Sequence, residues 1–318
     1  MEKSITIFSP ATIANVGPGF DILGFAIDEP GDTLQVSIID DKQHRIINST
    51  DVRLPADPAR NVATVAAMAL LDHLGSDAIF SFNFLGKIAP GSGIGSSAAS
   101  SAGAVFAVNR LLGSPLTAKE LVPFAMKGEE VASGSAHADN VAPALMGGFI
   151  LVRSYFPLDL IRLPSPGSLY CTVVHPEIEL DTESSRKILK GNIPLSTAIT
   201  QSGNLAGLIT GLFQSDFRLI RDSLQDVIAE PARSFLIPGF SRIKEAASRA
   251  GALGSSISGS GPSVFSLCKS KETAEKVAEA KRSILDELNI SCKVFVSGVN
   301  KEGCRLAGNR RMPGDKAP

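Results

Sequence analysis

The sequence lacks tryptophan, and aromatic residues make up only 6% of its 318 positions. Proteins that read single-stranded nucleic acid by stacking its bases usually carry more aromatic side chains. Lys and Arg total 31 against 32 for Asp and Glu, so the formal net charge is −1. This even balance gives no basis for binding a polyanion, although a small anionic ligand needs only local charge. Nucleic acid is therefore not an expected partner.

Cysteine is scarce, and no CxxC pair occurs among Cys171, Cys268, Cys292 and Cys304. Such scattered cysteines favour free thiols in a reducing compartment over the less favoured alternatives, a metal site or a redox pair. Long apolar runs are also missing, so no membrane-spanning segment is expected. The first residues show no basic region followed by an apolar stretch, so no signal peptide is predicted. We therefore expect a cytoplasmic protein.

The chain is too long for one ordinary hydrophobic core, and its 44% hydrophobic content fits two domains. A proline-rich stretch at residues 157–167 is the predicted boundary. Strand and helix patterns alternate in both halves with spacing that suits antiparallel pairing, which favours an α+β sandwich over a doubly wound sheet. We predict domains at residues 1–160 and 161–305 and a loose tail at residues 306–318.

Hydrophobic periodicity predicts the individual elements. Strands are expected at residues 5–8, 33–39, 79–84, 149–152, 170–174, 263–267 and 293–296. Helices are expected at residues 61–74, 97–112, 183–190, 197–213, 241–250 and 273–288. A further helix begins at the capping box of Thr117 and Glu120, and Pro123 should kink or shorten it. A long loop is expected at residues 9–24.

The strongest functional signal is the segment at residues 89–99, APGSGIGSSAA, which we call the central loop. Glycine permits left-handed backbone and the close approach of a ligand. Successive amide N–H groups in such a loop bind anionic oxygens, and the first turn of the following helix adds free N–H groups. Serine hydroxyls at this point bond phosphate or Mg²⁺. The central loop therefore predicts a site for ATP phosphates.

Other glycine-rich sites fit the central loop less well. Residues 93–98 satisfy the dinucleotide pattern GxGxxA, but residues 85–90 separate them from the strand, and Glu120 lies at a helix start instead of a strand end. The P-loop pattern fails because the Gly86–Lys87 pair is followed by Ile88. The motifs HRD, DFG and GxSxG do not occur. A flexible linker is disfavoured because a strand and a helix flank the loop.

Three further segments accompany the central loop. Residues 10–21, PATIANVGPGFD, are called the first loop below, and residues 251–262, GALGSSISGSGP, are called the third loop. With residues 133–143 and 182–186, their order and spacing resemble the GHMP small-molecule kinases, named for galactokinase, homoserine kinase, mevalonate kinase and phosphomevalonate kinase. Within this superfamily the segments look like those of the homoserine kinase family. The resemblance covers the chain to about Cys304.

One departure from the family pattern lies in the central loop. The family usually has Pro-x-Gly-Ser-Gly-Leu-Gly-Ser-Ser, whereas this chain has Ala89 in the proline position, Pro90 after it and Ile94 in place of leucine. The glycines and serines stay in register, so phosphate binding is still expected.

The resemblance implies a two-domain α+β fold, with an N-terminal domain like ribosomal protein S5 domain 2 and a ferredoxin-like C-terminal sandwich. It also implies ATP as co-substrate and Mg²⁺ as cofactor. ATP would contact Asn61, Lys87, Ala89, Pro90, Gly91, Ser92, Gly93, Ile94, Gly95, Ser96, Ser97, Ala98, Ala99, Gly259 and Gly261. Ser97 and Glu129 would hold Mg²⁺, because a hydroxyl and a carboxylate suit an ion that keeps much of its water.

The acceptor implied by the resemblance is L-homoserine, with an ammonium, a carboxylate and a hydroxyl. The residues implied to bind or orient it are Asn15, Asp21, His137, Asp139, Asn140, Thr182, Arg186 and Arg233. The two arginines suit the carboxylate, because a planar guanidinium binds it bidentately. Asn140 would orient the hydroxyl for in-line phosphoryl transfer, with Arg186 nearby, mostly by positioning and charge stabilisation. Asp139 as a general base stays open.

Two other functions remain open from the sequence. The first is a GHMP kinase for a sugar or isoprenoid alcohol, against which the two carboxylate-binding arginines argue. The second is a non-catalytic sensor with the same fold, against which the intact central loop, Ser97 and Glu129 argue. The resemblance also allows a homodimer.

Overall fold

The computed structural model describes residues 3–178, 180, 188–189 and 191–308. Its strands are β1 (Ser4–Ala14), β2 (Leu23–Ile39), β3 (Arg45–Asn48), β4 (Ile79–Gly86), β5 (Phe149–Tyr155), β6 (Leu158–Leu163), β7 (Tyr170–Pro176), β8 (Gly254–Ile257), β9 (Val264–Cys268), β10 (Cys292–Gly298) and β11 (Arg305–Leu306). Its helices are α1 (Val62–Leu74), α2 (Ser96–Leu111), α3 (Ala118–Ser133), α4 (Ala138–Met146), α5 (Leu195–Gln214), α6 (Phe217–Ser223), α7 (Ala229–Arg233), α8 (Phe240–Arg249) and α9 (Lys271–Glu287).

The first sheet is built on the antiparallel pair β1 and β2, in the order β11–β1–β2–β4–β3. A branch of β5 and β6 joins the first residues of β2. Phe80, Phe82 and Phe84 alternate along β4 and are buried among the alanines of the helices that cover the sheet. This helical layer consists of α1 to α4, and the central loop lies between β4 and α2, which begins at Ser96 within the loop segment.

The second sheet is antiparallel throughout, in the order β10–β7–β9–β8. Counted within this half of the chain, its strands lie in the order 4-1-3-2, with helices after the first and third. This is the arrangement of a ferredoxin-like sandwich, and the expected two-domain α+β fold is confirmed. The third loop includes β8 and the turn that joins it to β9.

The chain crosses between the two sheets more than once. An isolated bridge pairs Ile27 with Val299, and the amide of Gly148 donates to the carbonyl of Asn300 over 2.6 Å. Strand β11 then returns to the first sheet, where Leu306 pairs with Ile7. Residues 309–318 of the predicted tail lie outside the described residues. The stretch predicted as the domain boundary contains β6, which pairs with β5 in the first sheet.

Local sequence signals placed most helix ends correctly. Asn61 caps α1 through its side chain, and Gly75 ends that helix in the left-handed conformation. The capping box of Thr117 and Glu120 is present at the start of α3. The helices predicted at residues 97–112, 197–213, 241–250 and 273–288 correspond to α2, α5, α8 and α9. The helix predicted at residues 183–190 lies outside the described residues, apart from residues 188–189.

One expectation about the first domain was wrong, and a second was wrong in one of its two alternatives. The loop expected at residues 9–24 is much shorter, because β1 continues to Ala14 and β2 begins at Leu23. Both faces of this part of β1 are covered, so its side chains do not alternate between apolar and polar. Pro123 does not shorten α3, which continues to Ser133. The helix bears buried side chains around the proline, and this packing outweighs one missing backbone hydrogen bond.

The cysteines are free thiols, as expected; Cys171, Cys268 and Cys304 are buried, and Cys292 is half-buried. No helix within the described ranges is long and apolar enough to cross a membrane.

Candidate functional site

A cavity of about 450 Å³ lies where the first, central and third loops meet. The predicted site residues that line it are Asn15, Asp21, Asn61, Lys87, Pro90, Gly91, Ser92, Gly93, Gly95, Ser96, Ser97, Glu129, His137, Asp139, Asn140, Arg233 and Gly259. The other predicted nucleotide contacts, Ala89, Ile94, Ala98, Ala99 and Gly261, belong to the same loops without lining the cavity. Thr182 and Arg186 lie outside the described residues.

The central loop alternates between two backbone conformations. Gly91, Gly93 and Gly95 have φ values of 73°, 74° and 69°, whereas Ser92 and Ile94 between them do not have positive φ. Such alternation turns successive N–H groups towards one concave side, which is a binding site for anionic oxygens. Gly95 is also the N-cap of α2. The N–H groups of the first turn of α2 therefore extend the same site.

The hydroxyl of Ser92 lies inside this concave loop. Ser92 is 2% exposed and lines the cavity, and among the described atoms its Oγ has no hydrogen-bond partner. A buried hydroxyl without a partner is unfavourable unless a ligand or water completes it. Phosphate oxygens fit this requirement, so the loop suits the phosphates of a nucleotide.

Lys87 holds the central loop in place through hydrogen bonds to its backbone and to the residue before it. Its ammonium, which is buried, contacts Asp32 at 3.1 Å and also donates to the carbonyls of Ile88 and Ser96. Asp32 in turn accepts from the Ile88 amide at 2.8 Å and from the Ser100 hydroxyl at 2.7 Å. Burial raises the pKa of Asp32 and lowers that of Lys87, while their mutual attraction opposes both shifts. We assign them as an ion pair, because each charge also has hydrogen bonds that favour the ionised form.

Glu129 and Ser97 face each other across α3 and α2. Glu129 is buried and hydrogen-bonds to the Ser97 side chain. Burial raises the pKa of Glu129 to about 7, while the Ser97 hydrogen bond and the nearby Lys87 charge act in the opposite direction. A nearby positive charge stabilises the ionised form of a buried carboxyl group. A carboxylate in this position at the cavity wall is therefore suited to hold a divalent ion.

Asn140 lies in the first turn of α4 and is oriented by β1. The Thr12 hydroxyl donates to its Oδ1 at 2.7 Å, so its amide nitrogen is left to donate elsewhere. Gly95 lies against the same pair: a Cβ on this residue would be 2.0 Å from Thr12 Oγ1 and 3.0 Å from Asn140 Oδ1. Residue type alone gave no indication of the role of Thr12, although it lies within the first loop.

The first loop is held by Asn15. Its amide nitrogen donates to the carbonyl of Gly259 at 2.8 Å, and its Oδ1 accepts from the amide of Asp21 at 3.0 Å. Asn15 therefore connects the first and third loops. The carboxylate of Asp21 lies 3.8 Å from Nδ1 of His137, the N-cap residue of α4.

Arg233 enters the cavity from the end of α7. It is 3% exposed, donates to the carbonyl of Gly259 at 3.2 Å, and lies 5.1 Å from the ring centroid of Phe20. Asp139, also buried, lies in the first turn of α4. One side of the cavity thus collects an arginine, a histidine and two carboxylates.

Part of the cavity lining is apolar. It consists of Leu54, Pro55, Val62, Phe84 and Val131, and the exposed Arg53 and Arg60 also contribute to the lining. Sequence reasoning missed this set, because residues 51–60 carry no recognisable motif. It also missed Asp32, whose partner Lys87 is 55 positions away. Asn61, expected to contact ATP, uses its side chain to cap α1 and to donate to the Pro55 carbonyl.

Comparison with known proteins agrees with this geometry. The sequence model of the GHMP kinases N terminal domain matches residues 61–148, and that of the GHMP kinases C terminal domain matches residues 208–285. Homoserine kinase of Chlorobium phaeobacteroides (strain DSM 266) is 47% identical over 96% of this chain and 99% of that protein. Homoserine kinase of Chloroherpeton thalassium is 46% identical over the same shares.

Solved structures show the same relationship. The crystal structure of homoserine kinase from Cytophaga hutchinsonii has a TM-score of 0.93 and 50% identity, over 96% of this chain and 98% of that one. The crystal structure of L. major mevalonate kinase in complex with R-mevalonate has a TM-score of 0.70 at 18% identity, over 92% of this chain and 95% of that one, which shows the fold alone. With relatives 46–50% identical along nearly its whole length, the chain belongs to the GHMP kinase family, in its homoserine kinase group.

Proposed function

We propose that this protein transfers the γ-phosphoryl group of ATP to the hydroxyl of L-homoserine, giving O-phospho-L-homoserine and ADP in threonine biosynthesis. The observation that carries the proposal is one cavity that joins the alternating central loop to the Ser97–Glu129 pair and to Asn140. The relatives named homoserine kinase support the choice of acceptor. The protein would thus be an ATP-dependent phosphotransferase with an alcohol group as acceptor.

ATP would lie along the cavity with its phosphates on the central loop and its adenine against the apolar part of the lining. The N–H groups of the loop and of the first turn of α2 would bind the phosphates, together with the Ser92 hydroxyl. Leu54, Val62 and Phe84 offer the apolar surface that a purine ring needs. Lys87 would act on the phosphates through the loop that it anchors, since its ammonium already binds Asp32 and Ser96.

Glu129 and Ser97 would hold Mg²⁺ beside the phosphates. The Glu129 carboxylate and the Ser97 hydroxyl are the oxygen donors that this ion prefers, and the remaining positions would go to phosphate oxygens and water. The ion, when bound, neutralises charge on the transferring phosphoryl group. Burial raises the pKa of Glu129 to about 7, and a cation bound beside it would favour the ionised carboxylate.

The acceptor would lie between α4 and α7. Arg233 would bind the homoserine carboxylate, and the acidic residues Asp21 and Asp139 would bind its ammonium, beside His137. Asn140, whose Oδ1 accepts from Thr12, would donate a hydrogen bond from its amide nitrogen to the acceptor hydroxyl and align that oxygen with the γ-phosphorus. That oxygen forms the new P–O bond as the bond to the bridging oxygen of ADP breaks, and the hydroxyl proton passes to an oxygen of the transferred phosphoryl group. Arg186 and Thr182 remain predictions from the resemblance.

A coupled assay of ADP release tests the proposal directly. ATP and Mg²⁺ are supplied with L-homoserine, mevalonate or galactose, and product is identified by phosphorus NMR. We expect turnover with homoserine and little with the other two acceptors. ADP release with only a sugar or isoprenoid alcohol would overturn the proposed acceptor, and nucleotide binding without turnover on any acceptor would favour the sensor.

We also propose a cytoplasmic location and allow a homodimer. The four free thiols support the location, since a reducing compartment keeps thiols unpaired. Sedimentation of the purified protein measures the oligomeric state.

A further inference from the structure

The third loop holds the central loop through two serine hydroxyls. Ser258 Oγ donates to the carbonyl of Gly93 at 2.6 Å, and Ser263 Oγ donates to the carbonyl of Ser92 at 2.6 Å. Both serines are fully buried. They follow β8 and precede β9 in the second sheet, so these bonds cross from one domain to the other. The contact is close: a Cβ on Gly93 would lie 2.6 Å from the Gly261 carbonyl oxygen.

The turn that carries these hydroxyls is closed by its own backbone. The amide of Ser258 donates to the carbonyl of Ser263 at 2.9 Å, and the amide of Gly261 donates to the carbonyl of Ser258 at 2.9 Å. The amide of Gly259 also reaches the carbonyl of Ala14 at 3.3 Å. The two hydroxyls therefore project from a backbone that is fixed independently of the central loop.

Peptide geometry links these bonds to the phosphate site. A trans peptide is planar, with its C=O and the following N–H pointing in opposite directions. Fixing the carbonyls of Ser92 and Gly93 towards the third loop thus turns the N–H groups of Gly93 and Ile94 to the opposite side. The next carbonyl, of Ile94, is fixed in the same way by the amide of Thr12 at 3.1 Å, which orients the N–H of Gly95.

His175 completes the contact at Ser263. Its Nδ1 lies 3.2 Å from Ser263 Oγ. The single hydroxyl proton of Ser263 is donated to the Ser92 carbonyl, so Nδ1 must carry a proton and act as the donor in this second bond. The imidazole also hydrogen-bonds to the Ser92 backbone, so it contacts both partners of the bond between Ser263 and Ser92. It lies on β7, in the centre of the second sheet, beside Lys293 and Glu177.

We propose that Ser258 and Ser263 are positioning residues for phosphate binding: they aim the central-loop N–H groups at the nucleotide from the opposite domain. Neither hydroxyl lines the cavity. Their effect therefore passes through the loop carbonyls and acts on the nucleotide, not on the acceptor. The inference rests on the proposed function only in taking nucleotide phosphates as the ligand.

The test compares Ser258→Ala, Ser263→Ala and the double variant with Ser255→Ala. Ser255 is a matched control: it lies buried within β8, and its substitution removes a comparable bond, to Ser266 Oγ at 2.7 Å, but it does not touch the central loop. ADP affinity is measured by calorimetry without acceptor, and KM values are measured for ATP and homoserine. Thermal unfolding without nucleotide reports any general loss of stability.

We expect each single variant to weaken ADP binding and raise the KM for ATP by about two- to tenfold, the effect of one hydrogen bond. The KM for homoserine should stay within twofold of wild type in the single variants. The ADP affinity of Ser255→Ala should likewise stay within twofold of wild type (about 0.4 kcal/mol). Unchanged ADP affinity in both single variants, or an equal loss in Ser255→Ala, would overturn the inference.

Two further results keep the test decisive. If Ser263→Ala does not fold, Ser258→Ala tests the inference alone, because it releases the neighbouring carbonyl. A wild-type protein that binds ADP but fails to phosphorylate homoserine would refute the proposed acceptor and leave this inference supported or overturned by the ADP affinities alone. A wild-type protein that binds no ADP would overturn both.

Discussion

Thr12 and Asn140, which are 128 positions apart, are joined by a hydrogen bond of 2.7 Å from the threonine hydroxyl to the amide oxygen. Because the hydroxyl occupies Oδ1, it sets which side of the Asn140 amide faces the cavity. We expect Thr12→Val, which removes the donor and keeps the shape, to lower kcat about 10- to 100-fold, because small errors in acceptor position are costly. The KM for ATP should change little in steady-state assays.

The matched variant Thr12→Ser keeps the hydroxyl and should retain most of kcat. Asn140→Ala should lose at least as much as Thr12→Val, since it removes the positioned amide itself. If Asn140→Ala kept the wild-type kcat while Asp139→Ala abolished it, Asp139 would be the residue that acts on the acceptor hydroxyl.

Two glycines of the central loop separate backbone strain from steric contact. Gly91 and Gly93 have nearly equal φ values, 73° and 74°, so an alanine at either costs about 1–2 kcal/mol of strain. A Cβ at Gly91 meets no protein atom within 4 Å, whereas one at Gly93 would lie 2.6 Å from the Gly261 oxygen. In urea unfolding, Gly93→Ala should lose a further about 1–3 kcal/mol beyond Gly91→Ala. Equal losses in the two variants would show that the third loop moves away from the added Cβ without lowering the free energy of unfolding.

The parts of this molecule that the sequence predicts well are those controlled by neighbours in the chain. The left-handed glycines of the central loop follow from residue type and spacing, as do the cap at Asn61 and the capping box at Thr117. Each of these signals depends on backbone groups within a few residues, so the side chain and its partner can both be recognised in the same short stretch of sequence.

The parts that sequence reasoning missed depend on partners that only the fold brings together. Asp32 gives no local indication that Lys87 will contact it, and Ser263 gives none that it will reach the Ser92 carbonyl. Strand β1 was predicted too short for a related reason: its later residues are covered on both faces, and a strand buried in this way loses the alternation that identifies it.

The buried pair of Lys87 and Asp32 provides a test of stability. We expect Lys87→Met to destabilise the protein by about 3–5 kcal/mol, because it leaves the Asp32 carboxylate buried without its cation. The double variant Lys87→Met with Asp32→Asn should recover part of this loss, since the orphaned charge is gone. Lys127→Met is the control: Lys127 is 59% exposed in its pair with Glu130, and its loss should stay within about 1 kcal/mol. Urea unfolding measures all three.

The cap of α7 provides a test of the acceptor side. The Asp226 carboxylate accepts from the amides of Ile228, Ala229 and Glu230, and from the Gln201 side chain at 3.0 Å. It thus fixes the helix that ends in Arg233. We expect Asp226→Ala to raise the KM for homoserine about tenfold, because a displaced Arg233 guanidinium would bind the homoserine carboxylate less well. The KM for ATP should remain close to wild type.

Asp216→Ala is the matched control for this cap. Asp216 is itself the N-cap residue of α6 and accepts from the amides of Arg218 and Leu219, whereas Asp226 lies two residues before the N-cap Ile228 of α7; α6 carries no predicted site residue. Its loss should cost about 1 kcal/mol of stability and leave both KM values unchanged. A rise in the homoserine KM in both variants would point to general loosening of the second domain, against a specific role of Asp226.

The last prediction concerns Lys281, which is fully buried in the second domain far from the cavity. Its ammonium donates to the Val264 carbonyl at 2.7 Å and to the Ser266 hydroxyl at 3.1 Å. Burial lowers its pKa from 10.5 to about 7, opposed by the nearby sulfurs of Cys171 and Cys268. Between about pH 7 and pH 10 the unfolded chain therefore binds more protons at this residue than the folded chain does.

Because the unfolded state binds the extra proton, the contribution of Lys281 to the free energy of unfolding rises with pH in this range, by at most about 1.4 kcal/mol per pH unit. Urea unfolding of wild type and Lys281→Met at several pH values isolates this contribution as the difference between the two curves. Lys276→Met, an exposed position on the same helix, should give a curve parallel to wild type. If Lys281→Met also ran parallel to wild type from pH 7 to pH 10, the buried amine would have an ordinary pKa, and its hydrogen-bond acceptors would have to compensate the whole cost of burying its charge.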